Sequence, residues 1–102
     1  MNEGVPGSEV DADQTARRRV PITNTRGLHA RAAAKFAGTV GNFDADVQVT
    51  RNEQTVSGLS IMGLMMLAAA PGCHIDLSAS GPDAEAVIEA LSALVADKFQ
   101  ED

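Results

Sequence analysis

The 102-residue chain is expected to fold as one α+β domain, an antiparallel sheet whose apolar face is covered by helices. Three observations predict this. Stretches that alternate with period two are interleaved with stretches that repeat apolar residues at i, i+3, i+4 and i+7. Two of the alternating stretches are separated only by a short polar turn and therefore read as a hairpin. The length is enough for one hydrophobic core and too short for two.

Residues 1–16 are rich in Gly, acids and small polar side chains and follow neither period. They read as a flexible tail. Arg17, Arg18 and Arg19 extend it as a solvated lead-in, with a docking patch as the alternative, so the tail is expected to span residues 1–19 and the domain residues 20–102. Residues 20–23 (VPIT) form a short strand, and Pro21 near its start places that strand at a sheet edge. Residues 24–27 make a turn. The stripe Ala33, Phe36, Ala37, Val40 predicts a helix over residues 30–40, stopped by Gly41 and Asn42. Residues 45–50 alternate, and residues 55–56 return as the second strand of the hairpin. Ser60 is a good N-cap for an apolar helix over residues 61–70 that ends at Pro71 and Gly72. Residues 75–79 alternate again. After a turn at 81–83, a last helix runs from about residue 82 to 98, with Val87, Ile88, Leu91, Leu94 and Val95 on one face and Glu85, Glu89 and Ser92 off it.

Composition narrows the function. A net charge of −6 argues against non-specific nucleic-acid binding, which needs a basic face. No apolar run is long enough to cross a bilayer, and the N-terminus lacks the apolar region of a secretory signal, so a cytoplasmic location is expected. The single cysteine, Cys73, excludes an internal disulfide and agrees with a reducing compartment. A small acidic domain of this kind is expected to be a monomer. Neither glycine-rich nucleotide loop occurs, and neither HExxH nor CxxC is present. The run Gly58-Leu59-Ser60-Ile61-Met62 begins like a nucleophile elbow but has Met62 where the last glycine belongs. Cys73 and His74 are adjacent and would face opposite sides of a strand. No metal, no cofactor and no independent enzymatic activity are expected.

The stretch that carries chemistry surrounds His29. It stands directly before a helix, where the first N–H groups lack partners and the helix dipole puts partial positive charge, a setting that binds phosphate. Arg31 offers a forked donor suited to phosphate oxygens. Gly27 permits a backbone conformation that brings the turn close. The helix field favours neutral imidazole, whose free nitrogen is a competent nucleophile toward phosphorus. The dipole contributes only about 0.3–1 kcal/mol, so N–H groups and Arg31 must supply most of the hold on the transferred group. His74 has no comparable surroundings and reads as structural or exposed.

The run T-N-T-R-G-L-H-A-R-A-A-A-K-F resembles the active-centre segment of HPr, the histidine-containing phosphocarrier of the phosphoenolpyruvate-dependent phosphotransferase system. The run S-G-L-S-I-M-G-L-M-M-L-A-A-A-P-G resembles the serine-phosphorylation segment and second helix of that family, and the turn at 81–83 with the helix after it fits the end of its domain. The resemblance implies an open-faced β-sandwich, βαββαβα, with antiparallel strand order 1-4-2-3 and three helices on one face. It implies His29 as the phosphoacceptor, on Nδ1, and Arg31 as the residue that contacts the phosphoryl group. Phospho-enzyme I would be the donor, and an enzyme IIA the acceptor. Ser60 matches the regulatory serine phosphorylated in some members by HPr kinase/phosphorylase, and Ile61, Met62 and Met65 would lie on the partner-facing side. Many members have proline after the arginine. Ala32 stands there instead, and alanine is as compatible with a first helical turn. The family spans sugar-uptake and nitrogen-type regulatory branches, and the resemblance applies to both. The alternative to a carrier is a regulatory interaction module controlled by Ser60 phosphorylation.

Overall fold

The computed structural model describes residues 15–101. Its order is β1 (Thr15–Pro21), α1 (Ala30–Val40), β2 (Asp46–Arg51), β3 (Gln54–Ser57), α2 (Ile61–Met66), β4 (His74–Ser80), α3 (Ala84–Ala96) and a 3-10 turn (Lys98–Gln100). The four strands form one sheet in the order β1-β4-β2-β3, antiparallel throughout. This is the expected open-faced sandwich. β1 is an edge strand, as Pro21 indicated.

The core is made by the inward residues of the sheet, Val20, Val47, Val49, Ile75, Leu77 and Ala79, closed by the apolar stripes of the helices. From α1 come Ala32, Ala33, Phe36, Ala37 and Val40; from α3 come Ala84, Val87, Ile88, Leu91 and Val95. Phe36 and Phe99 are fully buried, each side chain worth about 1.5–3 kcal/mol against solvent exposure.

Three elements differ from the sequence reading. β1 begins at Thr15, so residues 15–19 are strand rather than tail; the expected tail boundary at 19 lies inside β1, and the rest of that tail, residues 1–14, lies outside the described residues. From Thr15 to Pro21 the strand pairs with β4, in register from Ser80 to His74. Arg18 occupies the same face as Ala16 and Val20, and its guanidinium reaches Glu89 on α3 at 2.7 Å. Arg19 pairs with Asp76 on the neighbouring strand at 2.8 Å. Residues 22–23, expected to continue the strand, lie beyond its end.

The second helix stops at Met66 with Leu67 as C-cap, although an alanine run follows. Ala68 takes a left-handed conformation (φ 53°) and the chain leaves the helix axis. Tertiary bonds outweigh helix propensity here: the carbonyl of Leu67 accepts from the Arg51 guanidinium at 3.0 Å, and that of Ala69 accepts the amide of Leu28 at 2.9 Å. The last helix ends at Ala96, after which Lys98, Phe99 and Gln100 all have positive φ (54°, 55° and 64°). Left-handed backbone costs about 1–2 kcal/mol per non-glycine residue. Burial of Phe99 and a 2.7 Å bond from the Lys35 ammonium to the Phe99 carbonyl offset that cost.

Candidate functional site

The site lies where the loop after β1 enters α1. Gly27 has φ 65°, a conformation that disfavours any side chain, and a methyl there would run into the Ala69 carbonyl oxygen. That close approach lets the Leu28 amide bond Ala69 and locks the loop onto the exit of α2. Buried Asn24 ties the turn from within, its Nδ2 donating to the Gly27 carbonyl at 2.8 Å. Leu28 is buried, so the next residue is turned to the rim of the domain.

That residue is His29. It is the N-cap of α1, with extended backbone (φ −79°, ψ −177°) and no capping bond from its side chain. Its carbonyl accepts the Ala33 amide at 2.8 Å, which starts the helical ladder. The amides of Ala30, Arg31 and Ala32 make no hydrogen bond among the described residues. The first turn holds no acid, while Arg31 is exposed there, so the positive helix end carries a further cation rather than a neutralising carboxylate. An arriving anion relieves both. Arg26, also exposed, stands in the loop just before. Lys35, the other cation of α1, braces the C-terminal turn through the Phe99 carbonyl.

The imidazole faces a partner that sequence reasoning missed. Nε2 of His29 lies 2.8 Å from both carboxylate oxygens of Glu101. The pair is largely enclosed, with side chains only 14% and 10% exposed. Hydrogen bonding to His29 holds the Glu101 carboxyl below the usual glutamate range, against the opposing effect of partial burial; Asn24 Nδ2, 3.5 Å away, and Lys35 add to the lowering. Nδ1 of His29 makes no hydrogen bond among the described residues. Seventy-two positions separate the pair, and a left-handed turn delivers the carboxylate, so no local motif announces it.

The second set of predicted residues gathers on α2. Ser60 is its N-cap, Oγ accepting the Gly63 amide at 2.9 Å. Leu64 and Leu67 turn into the core, while Ile61, Met62 and Met65 are 43%, 70% and 40% exposed. Leu59 and Met66, not singled out from sequence, enlarge this apolar patch. α2 packs on α1, so patch and histidine belong to neighbouring helices. Among the described residues no group of three or more metal-ligating side chains occurs, and no helix is long and apolar enough to cross a membrane. His74 is exposed on β4, and Cys73 precedes it with its sulfur 3.2 Å from Arg51 Nη2.

Residues 16–97 match the family model described as the phosphotransferase-system HPr component phosphorylation site. The chain is 46% identical to the phosphocarrier protein HPr of Cupriavidus necator over 82% of its own length and 94% of that protein. It is 44% identical to the phosphocarrier protein NPr of Shewanella violacea, over 82% of this chain and 92% of that one. A crystal structure of HPr from Thermoanaerobacter tengcongensis superposes with a TM-score of 0.82 at 39% identity, covering 85% of this chain and 98% of that one.

Proposed function

The chain belongs to the HPr family of phosphotransferase-system phosphocarriers, and on that premise we propose that His29 accepts a phosphoryl group on Nδ1 from phospho-enzyme I and passes it to an enzyme IIA. One observation carries the assignment. His29 caps α1 beside three unpartnered amides, with Nε2 occupied by Glu101, so Nδ1 is the ring nitrogen left with a lone pair for phosphorus. The transferred group then meets the amides of Ala30, Arg31 and Ala32 and the guanidinium of Arg31. Each such charge-assisted bond contributes about 1.5–3 kcal/mol, enough to steady the group and little enough to release it.

Ile61, Met62 and Met65 form the docking surface for both partners, a soft apolar patch on the helix beside the site. Ser60 is its control point. Phosphorylation by HPr kinase/phosphorylase would add a charge of about −1.5 to −2 at the edge of that patch, weakening docking and leaving the domain folded. A cytoplasmic carrier fits this chemistry, because its partners draw on phosphoenolpyruvate.

The test is incubation with enzyme I, Mg²⁺ and phosphoenolpyruvate. Wild type should take up an acid-labile label, His29→Ala none, and Arg31→Ala should hold the label less long. A label retained in His29→Ala excludes this residue as acceptor. For Ser60, capture of enzyme I and an enzyme IIA by Ser60→Asp should be weaker than by wild type, and equal capture would end the regulatory assignment.

A further inference from the structure

We propose that Glu101 is a positioning residue of the transfer site, which holds His29 as the tautomer protonated on Nε2 and supplies counter-charge to the ring once Nδ1 is phosphorylated. The inference rests on the carrier reading of His29 and deepens it. Both carboxylate oxygens lie 2.8 Å from Nε2. An ionised carboxylate can only accept, so the imidazole must bring the proton. A neutral imidazole has one N–H; committing it to Nε2 leaves the lone pair on Nδ1. Glu101 is held in place by its own surroundings. Phe99 is buried, its carbonyl is anchored by Lys35, and Asn24 approaches Oε1 at 3.5 Å. The strained left-handed turn at Lys98, Phe99 and Gln100 aims the carboxylate back at the mouth of α1.

The transfer step shows what this arrangement does. The Nδ1 lone pair forms the new N–P bond while the bond from phosphorus to the donor's nitrogen breaks, its electron pair leaving with the donor. Nε2 keeps its proton, so the phosphorylated ring carries a positive charge. Onward transfer reverses these changes and releases a neutral imidazole. Had Nε2 lost its proton, the leaving group would be an imidazolate, a far poorer one. The charged groups of the surrounding elements are Arg31 and Lys35 of α1, Arg26 of the entry loop, Lys98 of the 3-10 turn with Asp97 as its cap, and Glu85 and Glu89 of α3, the latter paired with Arg18. Among the described residues Glu101 is the one anion in contact with the ring, and it favours the protonated phospho-ring.

The experiment uses full-length wild type, Glu101→Gln and Glu101→Ala, phosphorylated by enzyme I and phosphoenolpyruvate. Two-bond ¹H–¹⁵N spectra of His29 in the free protein read the tautomer, and the pH profile of phosphoryl transfer back to enzyme I reads the charge. Wild type should show Nε2–H alone. Glu101→Ala should show mixed tautomers, whereas Glu101→Gln, whose amide oxygen still accepts, should keep Nε2–H. In both variants the alkaline fall of transfer should come about 1 pH unit or more earlier than in wild type. Glu101→Gln is isosteric and keeps the test alive should the alanine variant fail to fold. Labelled wild type with spectra and profile unchanged in both variants would overturn this inference alone. Absence of label on wild type would overturn the carrier reading and this inference with it.

Discussion

The N-termini of the two helices α1 and α2, which pack on each other, are built in opposite ways. At α2, Ser60 turns its hydroxyl onto the Gly63 amide and satisfies the helix end from within. At α1, His29 occupies the same cap position, makes no capping bond, and turns its ring to a carboxylate from the other end of the chain. The first arrangement adds stability; the second gives up a cap worth about 1 kcal/mol and leaves three amides for a ligand. A helix end that folds without its own cap, with an arginine rather than an acid in its first turn, is matched to an incoming anion.

The contrast can be broken most directly by His29→Ser. This gives α1 the cap that α2 has, and phosphoryl uptake from enzyme I should fall to background. The gained cap and the lost Glu101 contact oppose each other, so the melting transition should stay within about 1 kcal/mol of wild type. Next in size is Gly27→Ala. It puts a side chain at positive φ and against the Ala69 carbonyl, so denaturant unfolding should show a loss of about 2 kcal/mol or more. Ser60→Ala should cost about 1 kcal/mol in the same measurement while leaving His29 labelling at the wild-type rate, which separates the structural cap from the chemical one.

The smallest effect is an acid limb. The carboxyls of Glu101 and Glu89 are held below their ordinary value, by the bonds to His29 and to Arg18 respectively. Their contribution is therefore fully present above the unfolded glutamate value, about 4.3, and is lost as pH falls through the lower folded values. Melting followed from pH 6 downward should show the decline in wild type and a shallower one in Glu101→Gln.

How much of this was legible follows from where each signal resides. Both caps were, because a helix start is written in consecutive residues: His29 and Ser60 each stand directly before an apolar stripe. The covered face followed from the alternating and helical patterns, and the sheet order from the family resemblance that the segments around these caps carry. The start of β1 was hidden because its inward positions read Ala16, Arg18, Val20; the middle one is a cation that escapes along the edge to Glu89, and this breaks the alternation. The end of α2 was hidden because alanine favours helix, and the tertiary bonds from Arg51 to Leu67 and from Leu28 to Ala69 show why the run departs from it. Glu101 had no local signature: three successive left-handed residues, none of them glycine, bring it home.

The stretch 68–70 has a consequence for how this molecule is dissected. Its working part is a main-chain oxygen, that of Ala69, which receives the Leu28 amide and sets the height of the loop bearing the imidazole. An alanine scan passes over these positions, because they are alanine already. Replacing the peptide link between Ala69 and Ala70 by an ester, which weakens that oxygen as an acceptor and leaves every side chain in place, would reach the chemistry through a segment that conventional mutagenesis scores as silent.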